Sequence, residues 1–203
     1  TPPDAPDFVR INTIESSPHT AGKAYVAGIR YLVDDDRSPY IWKTTDYGKT
    51  WINLAATLPN DQPVYVVRED LKNRNLLFVG TEFSVFFSID GGKVWTSLRQ
   101  NMPTVAFHDL LIHPRDNDLI AATHGRGIWI MDDISALQEA TSQVMNADVH
   151  LFTNARPGTD WLRIQRGGYG RGDLYFAGEN PPAGAAVQFY LKSKPSGPVT
   201  VEI

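Results

Sequence analysis

The sequence predicts an all-β protein, a partial β-propeller of about three four-stranded blades with a β-rich segment after it. Three observations predict it. An aspartate-centred turn occurs twice, at Asp46 and Asp90, 44 positions apart. Short apolar runs and polar turns recur in the same order around those two turns. The composition, with 14 prolines, 16 glycines and an 11% aromatic share, favours many short strands joined by tight turns over a helical bundle.

The repeat carries the argument, because a fixed period of roughly 40–50 residues with four short strands marks a propeller blade. The stretch Thr44-Thr45-Asp46-Tyr47-Gly48-Lys49-Thr50-Trp51 is echoed by Ser88-Ile89-Asp90-Gly91-Gly92-Lys93-Val94-Trp95. A decayed third copy, Gly127 to Asp133, matches Val85 to Gly91 at an offset of 42. Upstream, Leu76 to Thr81 aligns with Asp118 to Thr123, again at 42, and Ala24 to Gly28 fits the same slot. Before each of these runs stand an apolar strand and a polar turn: Ile11 to Ser17, Val64 to Arg68, and Leu110 to His113. The expected layout is a linker over 1–6 and a propeller segment over 7–140, with blades at about 7–55, 60–99 and 103–133. Three sheets cannot bury all their faces alone, so further blades of the same full-length chain are expected.

Each aspartate has a mechanical reading. A carboxylate at a hairpin accepts bonds from backbone N–H groups further on and fixes the turn. Gly48 and Gly92 supply the positive φ such a turn requires. Thr44, Asp46, Gly48, Thr50 and Trp51, with Ser88, Asp90, Gly92 and Trp95, are thus expected to be structural, the tryptophans plugging the turn. His113 is expected in a turn, and His108-Asp109 lacks any accompanying nucleophile motif.

These residues also carry a resemblance. TTDYGKTW and SIDGGKVW are similar to the Asp-box (bacterial neuraminidase repeat, BNR) motif of sialidases and sortilin-type (VPS10) receptors. YIWKTTDYGKTW, LLFVGTEFSVFFSIDGGKVW and DLIAATHGRGIWIMDD resemble the sortilin-like "glycosyl hydrolase, BNR repeat" proteins of bacteria over about residues 7–140. The resemblance implies an exported protein, extracellular or periplasmic. It says little about activity, since the motif recurs in enzymes and receptors alike.

If the strands run outwards from the hub, the Asp turns share one face and the loops between second and third strands share the other. Those loops hold Arg30, Asp34, Asp35, Asp36, Arg37, Glu82, His124 and Arg126. The candidate ligand-binding set is Asp34, Asp35, Asp36, Glu82, His124 and Arg126. The Asp34–Asp36 run also offers a calcium reading, because hard cations want several carboxylate oxygens; no other metal and no cofactor is expected. The leading functional expectation is a non-catalytic segment presenting this face to a glycan, peptide or protein partner. The alternative is a sialidase-like glycoside hydrolase with catalytic residues partly outside this stretch. No catalytic residue is assigned, because the arginine triad and its partners that sialidases use cannot be mapped here.

Other classes are disfavoured. Net charge is −4 and the basic residues are scattered, leaving no footprint for nucleic acid. There is no cysteine, so thiolate chemistry and disulfides are out. No apolar run reaches the roughly 18 residues a membrane span needs.

The remainder changes character. Ile134 to Ala140 reads as a short helix with an acidic start. Asp148 to Phe152 and Val187 to Lys192 read as strands, with another beginning at Val199. Residues 141–203 are similar to the opening of small Ig-like β-sandwich modules. The glycine-rich Arg166 to Asp173 lacks a phosphate-loop ending, and its Arg-Gly-Asp is expected to be chance.

Overall fold

The structure is a computed structural model that describes residues 1–154, 156–158, 160 and 183–202. Short apolar runs broken by Gly, Pro and Asp turns fold into successive antiparallel sheets. The first is β1 (Arg10–Ser16), β2 (Ala24–Ile29), β3 (Tyr40–Thr44) and β4 (Ile52–Asn53). The second is β5 (Val64–Glu69), β6 (Leu77–Thr81), β7 (Val85–Ser88) and β8 (Thr96–Ser97). The third is β9 (Phe107–Ile112), β10 (Leu119–Thr123) and β11 (Ile128–Met131). Each sheet is ordered as it occurs in the chain. The first strand of each packs on the first two strands of the sheet before: β5 lies on β1 and β2, and β9 on β5 and β6. This is the radial stacking of propeller blades.

Two apolar cores lie between the sheets. Tyr25, Ala27 and Ile41 of the first blade meet Val64, Val67, Leu77, Val79 and Phe86 of the second. Val66, Phe78 and Val85 of the second meet Phe107, Leu110, Leu119 and Ala121 of the third. Lys23, in the β1–β2 turn, reaches the buried Glu69 of β5 at 2.6 Å.

The Asp turns form as the motif requires. Asp46 Oδ1 accepts from the Thr50 N–H at 2.9 Å and Oδ2 from the Thr50 hydroxyl at 2.6 Å. Asp90 Oδ1 accepts from the N–H groups of Lys93 and Val94. Thr44 and Ser88 each donate to their aspartate and accept from the glycine N–H four residues on. Gly48 and Gly92 have φ of 83° and 92°. The tryptophans diverge. Trp51 donates to Gly48 O in its own turn, whereas Trp95 reaches back to Leu54 O of the first blade at 2.7 Å.

Thr50's hydroxyl and N–H hold the Asp46 carboxyl down at about 2, against a usual 3.8. A depressed carboxyl stabilises the fold above its unfolded pKa, and that contribution is lost as pH falls towards the folded value. Asp46→Asn is therefore expected to lower the melting temperature at neutral pH. Its deficit against the parent should shrink between about pH 4 and about pH 2; a deficit constant with pH would contradict this account.

The third blade departs from the expected pattern. No fourth strand pairs with β11 among the described residues. Instead of an Asp turn, Asp133 takes φ 52° and its Oδ1 caps the N–H of Ser135, opening α1 (Ser135–Glu139), which α2 (Ser142–Asn146) follows. The register also refines the 42-residue offset. Trp129 pairs with Ala121 as Phe86 pairs with Val79, so Trp129, not Ile128, is the partner of Phe86. The loop from Thr123 to Ile128 is one residue longer than that from Thr81 to Val85.

Gln138 of α1 is shared between two blades. Its amide donates to Asp70 Oδ2 in the β5–β6 turn and to Asn117 Oδ1 in the β9–β10 turn, at 2.8 and 2.6 Å. Beyond α2, β12 (Val149–Leu151) pairs with β13 (Phe189–Leu191). Val199 to Glu202 does not form the expected strand: it is exposed and pairs with nothing among the described residues. Arg166 to Asp173 lies outside the described residues. Among the described residues no helix is long and apolar enough to cross a membrane.

Candidate functional site

The register places the starts of the three inner strands beside the loops between second and third strands. Arg10 pairs with Ile29, Val64 with Thr81, and Phe107 with Thr123. The Asp turns lie at the opposite ends of the same sheets. A β-bulge re-aims the side chain it inserts, and one occurs near this end of every inner strand. The bulged residues are Asn12 in β1, Tyr65 in β5 and His108 in β9.

All three line one groove of about 620 Å³, together with Arg10, Tyr31 and Arg68. Tyr31 comes from a single helical turn, Tyr31–Asp34, in the β2–β3 loop. The Tyr65 hydroxyl donates to Glu82 Oε2 at 2.5 Å and lies 3.2 Å from the Tyr31 hydroxyl. The Tyr65 and His108 rings have centroids 4.3 Å apart, and those of His108 and His124 are 4.9 Å apart. Two equivalent backbone bonds pin the loops: Glu82 N–H to Pro63 O and His124 N–H to Ala106 O.

Burial and the Glu82 carboxylate push the Tyr65 phenol well above its ordinary range, so it is a fixed donor. Burial and the adjacent His124 lower the His108 imidazole, against an opposing pull from Glu82. Both effects favour the neutral imidazole, in which one ring nitrogen is an acceptor. Also lining the groove, Arg68 joins three blades. It meets Glu15 of β1 at 3.2 Å, Asp109 of β9 at 2.7 Å, and donates from Nε to Leu110 O.

Of the residues singled out from sequence, Glu82 and His124 are drawn into this cluster. The aspartate run is not. Asp34 and Asp36 pair with Arg30, Asp35 pairs with Arg37, and Asp36 also accepts from the Tyr40 hydroxyl. That last bond, opposed by burial, holds the Asp36 carboxyl at about 2. The three carboxylates are thus taken up by the arginines of their own loop, two by Arg30 and one by Arg37. Among the described residues no three His, Cys, Asp or Glu side chains are placed to hold a metal. Arg126 contributes backbone only, its N–H to Thr123 Oγ1 and its carbonyl to Trp129 Nε1. His113 sits in the β9–β10 turn, where Nδ1 accepts from the Asp116 N–H.

Tyr31 and Tyr65 were not singled out from sequence, and His108 was set aside for want of a nucleophile motif. A signal existed in the spacing. In β9 Phe107 and Leu110 are buried three positions apart with exposed His108 and Asp109 between them, where an unbroken strand would give two or four, whereas Val64 to Val67 are all apolar and all buried and show no such break.

The sheets and their order define a partial β-propeller. No protein-family model matches the chain, and no curated protein sequence matches it significantly. Solved structures do. A GH74 xyloglucanase from Xanthomonas campestris aligns with a TM-score of 0.51 at 20% identity, over 69% of this chain and 22% of that one. A GH74 enzyme from Niastella koreensis aligns with a TM-score of 0.49 at 16% identity, over 61% of this chain and 21% of that one. YCF48 bound to D1 peptide aligns with a TM-score of 0.41 at 20% identity, over 61% and 36%. The chain spans about a fifth of the length of the two GH74 enzymes. At 20% identity the likeness to the Xanthomonas campestris enzyme is one of fold.

Proposed function

We propose that this propeller segment is a non-catalytic binding module whose loop-face groove takes a neutral, hydroxyl-rich ligand, a glycan. The observation that carries the reading is the cluster of tilted Tyr65, His108 and His124 rings, the first two lining the groove, with the Glu82 carboxylate accepting from the Tyr65 hydroxyl. Flat ring faces receive the C–H faces of sugar rings, and a few fixed polar groups set their orientation. Several charges near the groove are paired, Arg68 with Glu15 and Asp109 and Arg30 with Asp34 and Asp36. An ionic ligand would have to compete with those pairs. The protein is in this reading an exported member of the Asp-box group, sortilin-like or sialidase-like.

Calorimetric titration of the natural full-length protein with neutral glycans, acidic glycans and peptides tests the assignment. Glu82→Gln and His108→Ala are expected to weaken binding of a neutral glycan by about tenfold or more, since a charged hydrogen bond contributes about 1.5–3 kcal/mol. Melting temperature should stay within about 2 °C. Binding of peptides alone, or a fall in stability with binding intact, would sink it.

A second reading, a glycoside hydrolase, draws on the same Glu82, a carboxylate held by a phenol at the groove. Hydrolysis needs a second carboxylate about 5–9.5 Å away. Turnover of chromogenic glycosides, lost in Glu82→Gln, would select it.

A further inference from the structure

Among the described residues three hydroxyls line the groove, on Thr13 of β1, Tyr31 of the β2–β3 loop and Tyr65 of β5. A hydroxyl has one hydrogen to give and lone pairs to accept with, so where the hydrogen goes fixes what is left for a ligand. The Thr13 hydroxyl gives its hydrogen to the backbone carbonyl of Tyr65 at 2.9 Å. The Tyr65 hydroxyl stands between two oxygens, Glu82 Oε2 at 2.5 Å and the Tyr31 hydroxyl at 3.2 Å. A carboxylate accepts and does not donate, and the nearer, charged acceptor takes the hydrogen. The hydrogen between the two phenols must then come from Tyr31. The Tyr65 oxygen, polarised by its bond to Glu82, is a stronger acceptor for it.

The hydrogens therefore run one way, from Tyr31 to Tyr65 to Glu82, and away from the groove. Glu82 is itself held in place, its N–H donating to Pro63 O. The Arg68 guanidinium is likewise turned to Leu110 O, Val67 O, Glu15 and Asp109. What Thr13 and Tyr31 offer a bound molecule is lone pairs.

We propose that Glu82 is a positioning residue which, through Tyr65, makes Tyr31 an acceptor, so that a glycan in this groove must present a free hydroxyl hydrogen to Tyr31. This specificity rests on the glycan reading of the groove. A sugar hydroxyl can donate there. The same oxygen blocked as a methyl ether keeps only lone pairs and would face those of Tyr31 without a bond. Glu82 sets this preference without touching the sugar.

Two measurements on the natural full-length protein test it. The first needs no glycan. The tyrosine doublet of the Raman spectrum reports whether a phenol hydroxyl donates or accepts, and subtracting the Tyr65→Phe spectrum from the parent's isolates Tyr65. Tyr65 is expected to read as a strong donor, and to lose that character when the same subtraction is made in Glu82→Gln. A Tyr65 signal unchanged by Glu82→Gln overturns the proposal whatever the groove binds. Circular dichroism confirms that each variant is folded.

The second uses an array of neutral glycans printed in free and O-methylated forms. The parent should prefer the free forms by about tenfold, the worth of one hydrogen bond. In Glu82→Gln and in Tyr31→Phe, which keeps the carboxylate, the preference should largely vanish. A preference that persists in Glu82→Gln is one of bulk and overturns the proposal. Equal binding of both forms by the parent overturns it while leaving the glycan reading intact. Binding of neither form sinks the glycan reading and this specificity with it.

Discussion

Trp95→Ala is expected to lower the unfolding free energy by about 3–5 kcal/mol, the range for deleting a buried large aromatic. Trp51→Ala, at the same place in the motif, should cost only about 1 kcal/mol. The contrast follows from where each indole goes. Trp95 is 6% exposed, belongs to the core shared by the first two blades, and donates to Leu54 O. Its backbone N–H is also held by the Thr57 hydroxyl of the linking segment. Trp51 is half-buried and its indole bond closes on its own turn. Urea titrations followed by circular dichroism measure both. Equal losses would mean that Trp95 is a turn plug and not a tie between blades.

Lys23→Met carries the second large effect. Its partner Glu69 has no exposed side-chain surface, and one of its oxygens, Oε2, has no hydrogen-bond partner. Burial, with that carboxylate alongside, raises the Tyr25 phenol far above its ordinary range, so it stays neutral. Removing the ammonium alone strands a charge in this setting, which costs about 3–5 kcal/mol. The double change Lys23→Met, Glu69→Leu is expected to recover most of the loss, since replacing a buried ion pair with apolar groups is often neutral. A double-mutant cycle in urea provides the measurement. A double variant no more stable than Lys23→Met would show that the loss comes from the ammonium's contact with the Tyr25 ring, whose centroid lies 5.2 Å from Nζ.

The blades were legible because their signals are local. Asp46 and Asp90 are fixed by backbone groups within four residues, so spacing alone reveals the turn and its hydrogen bonds. The direction of the loops followed from strand order, which brought Glu82 and His124 into view. What escaped is non-local. Tyr65 and His108 enter the groove through bulges, and a bulge is a relation between two strands that one strand shows at most as a broken rhythm. The aspartate run misled for a similar reason, since its arginine partners sit in the same loop and competed for the carboxylates. The third blade was one residue out of step because its connecting loop is longer, which an offset read from a decayed motif does not resolve.

One amide side chain spanning two blades has a mechanical meaning. Tension drawn through the C-terminal segment meets the bonds of Gln188 to Asp133 and of Arg156 to Asp118 before it reaches Gln138, whose bonds anchor it to Asp70 and Asn117 together. The load is shared in shear by the last two sheets, so the outermost strands are not peeled away one by one. The short helix acts as a strain relief between whatever the trailing segment is attached to and the groove at the other end of the blades.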